Sequence, residues 1–157
     1  MATIHLSTEI HSTIEVCFDL SRSIDLHKMS TVKTNEEAIA GKTSGLIGMD
    51  EWVTWEAKHL GFKQKLTSKI TAFESPNYFK DEQLKGIFKT FQHQHIFKQE
   101  DGFVIMEDIL IFSSPFGIVG KLFDKIFLKS YLTKFLKERN SIIKIFAESE
   151  EWKTVLK

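Results

Sequence analysis

The sequence predicts an α+β fold: a curved seven-stranded antiparallel sheet wrapped around a long C-terminal helix, with two short helices after the first strand. Two observations predict it. Between residues 30 and 114, apolar and polar residues alternate in short runs, the period-two mark of half-buried strands. From Phe116 to about Ala147 the spacing becomes helical. Val119, Leu122, Phe123, Ile126, Phe127, Leu132, Phe135, Leu136, Ile142, Ile143 and Phe146 recur every three or four residues. Helices segregated from an antiparallel sheet define the class. A sheet bent around the long helix buries that helix's stripe and leaves a cavity between the two.

Each element has its own signal. Thr3 to Ile10 alternates, with Ile4, Leu6, Thr8 and Ile10 on one side. Ser12 and Glu15 fit a capping box, so a short helix should bury Ile14, Cys17, Phe18 and Leu20. Ser23 is the expected cap of a second helix, Ile24 to Met29. Lys33 to Ala40 is a weaker strand, and Gly41, Gly45 and Gly48 mark the loop after it. Glu51 to His59 and Phe62 to Phe73 are strands joined by a tight hairpin at Leu60 and Gly61. Ser75, Pro76 and Asn77 make a turn. Tyr78 to Leu84 and Phe88 to Lys98 pair around Lys85 and Gly86. Gln99 to Gly102 turns the chain into Phe103 to Phe112, and Pro115 and Gly117 separate that strand from the long helix.

A chain of 157 residues is one domain by size. The 21 basic residues balance the 21 acidic ones, which gives no electrostatic reason to expect nucleic acid or an anionic membrane. The lysines of the long helix read as a solvated face. Fourteen Phe against two Tyr imply a dry interior with few built-in hydroxyls. Cys17 is the only cysteine, so no intrachain disulfide forms, and on a buried helix face it is expected to be inert. No segment is long and apolar enough for a membrane span, and the start lacks a signal-peptide pattern. Cytoplasmic residence is the expectation.

Several short stretches occur in a familiar order: Val53-Thr54-Trp55, Phe79-Lys80-Asp81 with Gly86 and Phe88, His93-Gln94-His95-Ile96-Phe97, Asp108, Pro115-Phe116-Gly117 and Glu138-Arg139-Asn140. With them the chain resembles the SRPBCC superfamily, the helix-grip fold of START and birch-allergen-like proteins. More closely it resembles a bacterial group labelled cell-division-inhibitor-like or polyketide-cyclase-like. The resemblance implies the fold. Its chemistry stays open, because that superfamily holds lipid carriers, hormone receptors and cyclases.

Strand alternation places candidate side chains independently of the resemblance. In Phe91 to Lys98, Phe91, His93, His95 and Phe97 share the inward face. If Lys98 lies opposite Phe103, His95 faces Met106 and His93 faces Asp108. The inward set of the last strand is then Val104, Met106, Asp108, Leu110 and Phe112. With His59 opposite Phe62, Trp55 faces Leu66, and Ala57, His59, Phe62, Gln64 and Ser68 also point inward. Phe79, Asp81 and Gln83 follow on the next strand. Phe116, Ile118 and Phe123 would form a lid. Trp55, Gln64, Phe79, Asp81, Phe91, His93, His95, Met106, Asp108, Leu110 and Phe123 are therefore the candidate ligand-binding residues: apolar walls with sparse orienting groups.

These residues support three readings. The leading one is a carrier of a small hydrophobic or aromatic molecule. The second is a polyketide cyclase or dehydratase-like enzyme, as the resemblance implies, with His93 as acid/base and Asp108 orienting it. The third is an interaction module related to cell division. His93 and His95 with Asp81 or Asp108 have metal-ligand character, but spacing fixes no third ligand, and neither metal nor cofactor is expected. Phe103, Ile105, Ile109 and Ile111 make the outer face of the last strand apolar too. Either that face mediates a homodimer or the register is off by one. Glu138 and Arg139 are expected in surface or helix-end ion pairs.

Overall fold

The computed structural model describes residues 1–157. Seven strands form one antiparallel sheet: β1 (Ala2–Ile10), β2 (Glu37–Gly41), β3 (Trp52–His59), β4 (Phe62–Glu74), β5 (Tyr78–Lys85), β6 (Thr90–Gln99) and β7 (Val104–Ser113). Their spatial order is β1-β7-β6-β5-β4-β3-β2. Two helices, α1 (Ile14–Ser21) and α2 (Ile24–Ser30), follow β1. At the other end of the chain α3 (Gly117–Phe123) runs through a π turn (Asp124–Leu128) into α4 (Lys129–Glu148), and α5 (Trp152–Val155) closes it. Register shifts in the β2–β3 pair, near Ala38, and in the β4–β5 pair, at Thr67 and Ile70, bend the sheet.

Local chemistry accounts for most boundaries. The cap of α1 is Thr13, whose side chain accepts from the Val16 amide at 3.3 Å, one residue beyond the expected Ser12. Ser23 caps α2 by accepting from the Leu26 amide. The expected strand at Lys33 begins only at Glu37. A 3₁₀ turn (Val32–Thr34) takes its place, ended by Asn35 at φ 52°, a left-handed position that Asn tolerates.

The β3–β4 hairpin pairs His59 with Phe62 and Trp55 with Leu66, as alternation predicts. Phe62 is nonetheless exposed, because it sits at the tip beyond the reach of the helix. The β6–β7 register differs from the expected one by two residues. Gln99 pairs with Val104, so His95 faces Asp108 and His93 faces Leu110. Phe103 belongs to the turn, where its carbonyl accepts from the Glu100 amide and from the Gln99 side chain. An even shift preserves the pleat, and Val104, Met106, Asp108, Leu110 and Phe112 all remain buried. The outer isoleucines of β7 are only half-buried, each flanked by polar residues: Ile109, for instance, lies between His5 of β1 and Gln94 of β6.

Two apolar cores hold the layers together. One centres on Phe18, which meets Phe73, Phe79 and Phe97 edge-on at 5.4 Å between ring centroids. The other joins Ile4, Leu110 and Phe112 to Leu128, Leu132 and Leu136. The expected burial of the start of the long helix does not hold. Gly120, Asp124 and Leu128 face the protein instead. A side chain at position 120 would collide with the Pro115 carbonyl, and Asp124 accepts from both the amide and the hydroxyl of Ser114. This anchoring turns Ile118, Val119, Leu122 and Ile126 outward.

Candidate functional site

A cavity of about 540 Å³ lies between the concave sheet and the long helix. Residues from both cores line it: Trp55, Ile70 and Phe79 on one side, Leu110, Leu132 and Leu136 on the other. Of the sequence-derived candidates, Trp55, Gln64, Phe79, Asp81, Phe91, His93, His95, Leu110 and Phe123 line it. Met106 and Asp108 do not. Both are 0% exposed, because α1 and α4 close over this stretch of β7. Met106 lies against the Ser21 hydroxyl, and Asp108 lies beneath Asn140. Inward parity gives the face but not how deeply a neighbouring helix covers it. Of the expected lid, Phe116 and Phe123 line the mouth, while Ile118 faces away.

The polar floor of the cavity is a connected network. His93 Nε2 lies 2.7 Å from Asp108 Oδ1, and His95 Nε2 lies 2.9 Å from Asp81 Oδ2. Asn140 donates to the other Asp108 oxygen at 2.6 Å. Arg139 approaches Asp108 to 3.6 Å and donates to Asn140 Oδ1 and to the Ser21 carbonyl. Arg139 is 5% exposed; the expected surface pairing holds only for Glu138, which meets Lys33. The buried Asp108 is thus held by His93, Asn140 and the nearby Arg139, and the half-buried Asp81 by His95. His95 Nδ1 sits 3.4 Å from Asp108 without hydrogen-bond geometry. The ring stacks on Phe79, at 4.0 Å, and is tilted against His93, at 3.8 Å.

Arg139 and Asn140 stand among the family-like stretches of the sequence but have no place in its candidate site, although a signal existed. They fall between Leu136 and Ile143 on the buried stripe of the helix. Two further polar pairs guard the side of the cavity: His27 meets Glu36 at 3.1 Å, and His59 meets the Tyr131 hydroxyl at 2.8 Å.

Electrostatics assigns the protons. Burial alone would raise the Asp108 pKa. The bond from His93, the His95 ring beside it and the Arg139 charge outweigh it and hold the carboxyl well below its usual range. Burial likewise opposes ionisation of Asp81, and the His95 bond overcomes it. Burial pushes the His93 imidazole down, His95 beside it pushes the same way, and Asp108 offsets only part. His93 is therefore neutral at pH 7. An anionic Asp108 fixes its proton on Nε2 and leaves the Nδ1 lone pair without a protein partner on the cavity side. Burial pushes the Cys17 thiol up to about 12, so no thiolate forms.

The donor atoms of Asp81, His93 and His95 lie within 4.8 Å of one another, close enough to enclose a divalent ion. Ligation by either histidine through Nε2 would cost the proton it now shares with a carboxylate. The present geometry is that of hydrogen-bonded pairs.

These shifts predict a two-step acid profile. His93 and His59 have folded-state pKa values below their ordinary 6.5, so the unfolded chain binds protons first. Their contribution is complete above pH 6.5 and is lost as pH falls through the lowered values. Asp81 and Asp108, depressed below 3.8, add a second loss under that pH. Melting temperature measured against pH should fall in both windows. His93→Gln should flatten only the upper one.

No family model matches the chain, and no curated protein matches its sequence. Solved structures do match its shape. A protein from Thermus thermophilus superposes with a TM-score of 0.75 at 14% identity, over 98% of both chains. A START superfamily protein from Mycobacterium smegmatis gives 0.70 at 8% identity, over 93% of this chain and 97% of that one. Major latex-like protein 151 from Panax ginseng gives 0.69 at 14% identity, over 94% and 98%. At such identities the likeness is one of fold: the chain has the helix-grip architecture these proteins share.

Proposed function

We propose that this helix-grip protein is a cytoplasmic carrier that holds a small hydrophobic or aromatic molecule between sheet and α4. The observation that carries the reading is the cavity itself. Its volume of about 540 Å³ falls within the usual range for small-molecule sites. Its walls are apolar, and its polar groups gather on the floor, where the His93 Nδ1 lone pair would accept from a ligand hydroxyl or amine. Trp55, 8% exposed and tilted against His27 at 4.3 Å, offers the remaining face of its ring to an aromatic ligand. A cavity of this size weighs against a packed interaction module.

A cyclase or dehydratase-like reaction is the second reading. One observation favours it: His93 is neutral, oriented by a buried carboxylate, and its free nitrogen faces the cavity. That is the arrangement of a general base.

Native mass spectrometry of the purified protein tests the carrier, with a retained small molecule as the expected result. Ala57→Trp supplies the control. Ala57 lines the cavity and is 6% exposed. An indole there would fill ligand space at a stability cost of about 1–3 kcal/mol. Uptake of an apolar fluorescent probe such as anilinonaphthalene sulfonate should then drop by about tenfold or more, as the probe's apolar burial is lost. Undiminished uptake by a folded Ala57→Trp protein would place binding elsewhere.

A further inference from the structure

We propose that the mouth of the cavity docks on an anionic lipid bilayer. The balanced net charge argues against this only if the charges are mixed, and they are not. One end of the molecule carries the β3–β4 turn, the β5–β6 loop and the start of α3. Leu60, Ile87, Phe116, Val119 and Phe123, from all three segments, line the cavity and are also exposed. Beyond them Ile118 and Ile126 stand 83% and 70% exposed on the same helical stretch. Single exposed apolar residues are ordinary, but a contiguous group rimming a cavity is not.

The backbone adds a second observation. Four non-glycine residues have positive φ. Asn35 and Asp50 are types that tolerate it, whereas Leu60 (φ 54°) and Phe116 (φ 77°) are not. Both bulky exceptions sit on the rim, where the strain holds an apolar side chain toward solvent.

Charge selects the occupant. Lys58, Lys85, Lys89, Lys121, Lys125 and Lys129 are exposed, none has a carboxylate partner, and all lie at this end or along the helix leading from it. The only carboxylate between residues 114 and 137 is Asp124, which is 3% exposed and bound to Ser114. Exposed acids such as Glu9, Glu74, Glu100 and Asp101 collect at the opposite end of the strands. Lys125, Lys129, Lys134 and Lys137 also line a shallow groove with Ser130 and Thr133, a fit for phosphate oxygens. An apolar ridge beside a lysine flank is the pattern of a helix lying in a membrane interface. A second copy of the chain fits less well, since a two-fold contact through this helix would set lysine against lysine.

The inference deepens the carrier reading in one respect: a mouth seated in lipid would let an apolar ligand enter without crossing water. Docking itself stands independently and is measured separately. Flotation with phosphatidylcholine vesicles containing about one-third phosphatidylglycerol should carry the full chain upward, and phosphatidylcholine alone should not. Binding should fall in about 1 M salt, where screening is nearly complete. Lys121→Gln with Lys125→Gln should weaken it about 25-fold, at about fivefold per lysine near an anionic leaflet. Ile118→Ser with Ile126→Ser should weaken it as well. All four sites are exposed and outside the cavity, so the variants should melt as the parent does. Ala57→Trp should float normally, which separates failure of the cavity from failure of the surface. No flotation with anionic vesicles, unchanged flotation of both double variants, or a dimer in sedimentation equilibrium that Ile118→Ser with Ile126→Ser dissolves would each overturn the proposal.

Discussion

Replacing Asp108 by Asn should lower the free energy of unfolding by about 3–5 kcal/mol, the cost of breaking one side of a buried ion pair. Asp108 is 0% exposed. It accepts from His93 and from Asn140 and lies 3.6 Å from Arg139. An asparagine there has one acceptor where the carboxylate has two. Its amide hydrogens would confront either the Asn140 amide or the His93 N–H, and the Arg139 guanidinium would stay buried without a full negative charge. Urea unfolding with an unchanged slope measures the loss. The double exchange Asp108→Leu with Arg139→Met should cost less than the sum of its parts, because both charges leave together. His93 would still lack its acceptor, so recovery should be partial. A single-variant loss under about 1 kcal/mol would mean that water already solvates the network, and its structural role would fall.

The network also shows where sequence reasoning reaches and where it stops. The pleat of β6 and β7 put His93, His95 and Asp108 on one inward face, and a two-residue error in register did not matter because the side-chain period is two. The β3–β4 register was legible because a two-residue turn at Leu60 and Gly61 admits one pairing. The longer turn from Glu100 to Phe103 admits several, and hydrogen bonds from Gln99 and Glu100 to the Phe103 carbonyl decide among them. Depth was not legible at all. Nothing on β7 itself says that α1 and α4 seal Met106 and Asp108 while leaving Leu110 on the cavity.

Helical periodicity failed in an instructive way. It finds apolar residues that share a side, and it cannot say whether that side meets protein or solvent. At Leu132, Leu136 and Ile143 it meets the sheet. At Val119, Leu122 and Ile126 it faces outward, because Gly120 and Asp124 fasten the opposite side to the end of β7. The same stripe hid Arg139 and Asn140, polar residues at core positions. Polar groups at core positions of a helix are the sequence signal worth reading first, since burial without partners would be prohibitive.

His93→Gln separates carrier from enzyme by the size of its effect. The imidazole offers its Nδ1 lone pair to the cavity while Nε2–H holds Asp108. Glutamine keeps both functions in kind: an amide N–H can donate to Asp108 and an amide oxygen can accept from a ligand. What it loses is proton exchange. A carrier should therefore lose only about 0.5–1.5 kcal/mol of ligand binding, the net value of one hydrogen bond. An enzyme that uses His93 as its base should lose about 10²–10⁴-fold in turnover with affinity nearly intact. The carrier result is expected, because a base alone does not make this site catalytic. The guanidinium closest to Asp108, that of Arg139, is committed to Asn140 and Ser21 and so is not free to stabilise developing charge. Titration calorimetry on parent and variant, once native mass spectrometry supplies the ligand, gives the binding term, and product formation under the same conditions gives the other. A collapse in turnover with unchanged affinity would make the protein an enzyme, with His93 its base and Asp108 the group that orients it.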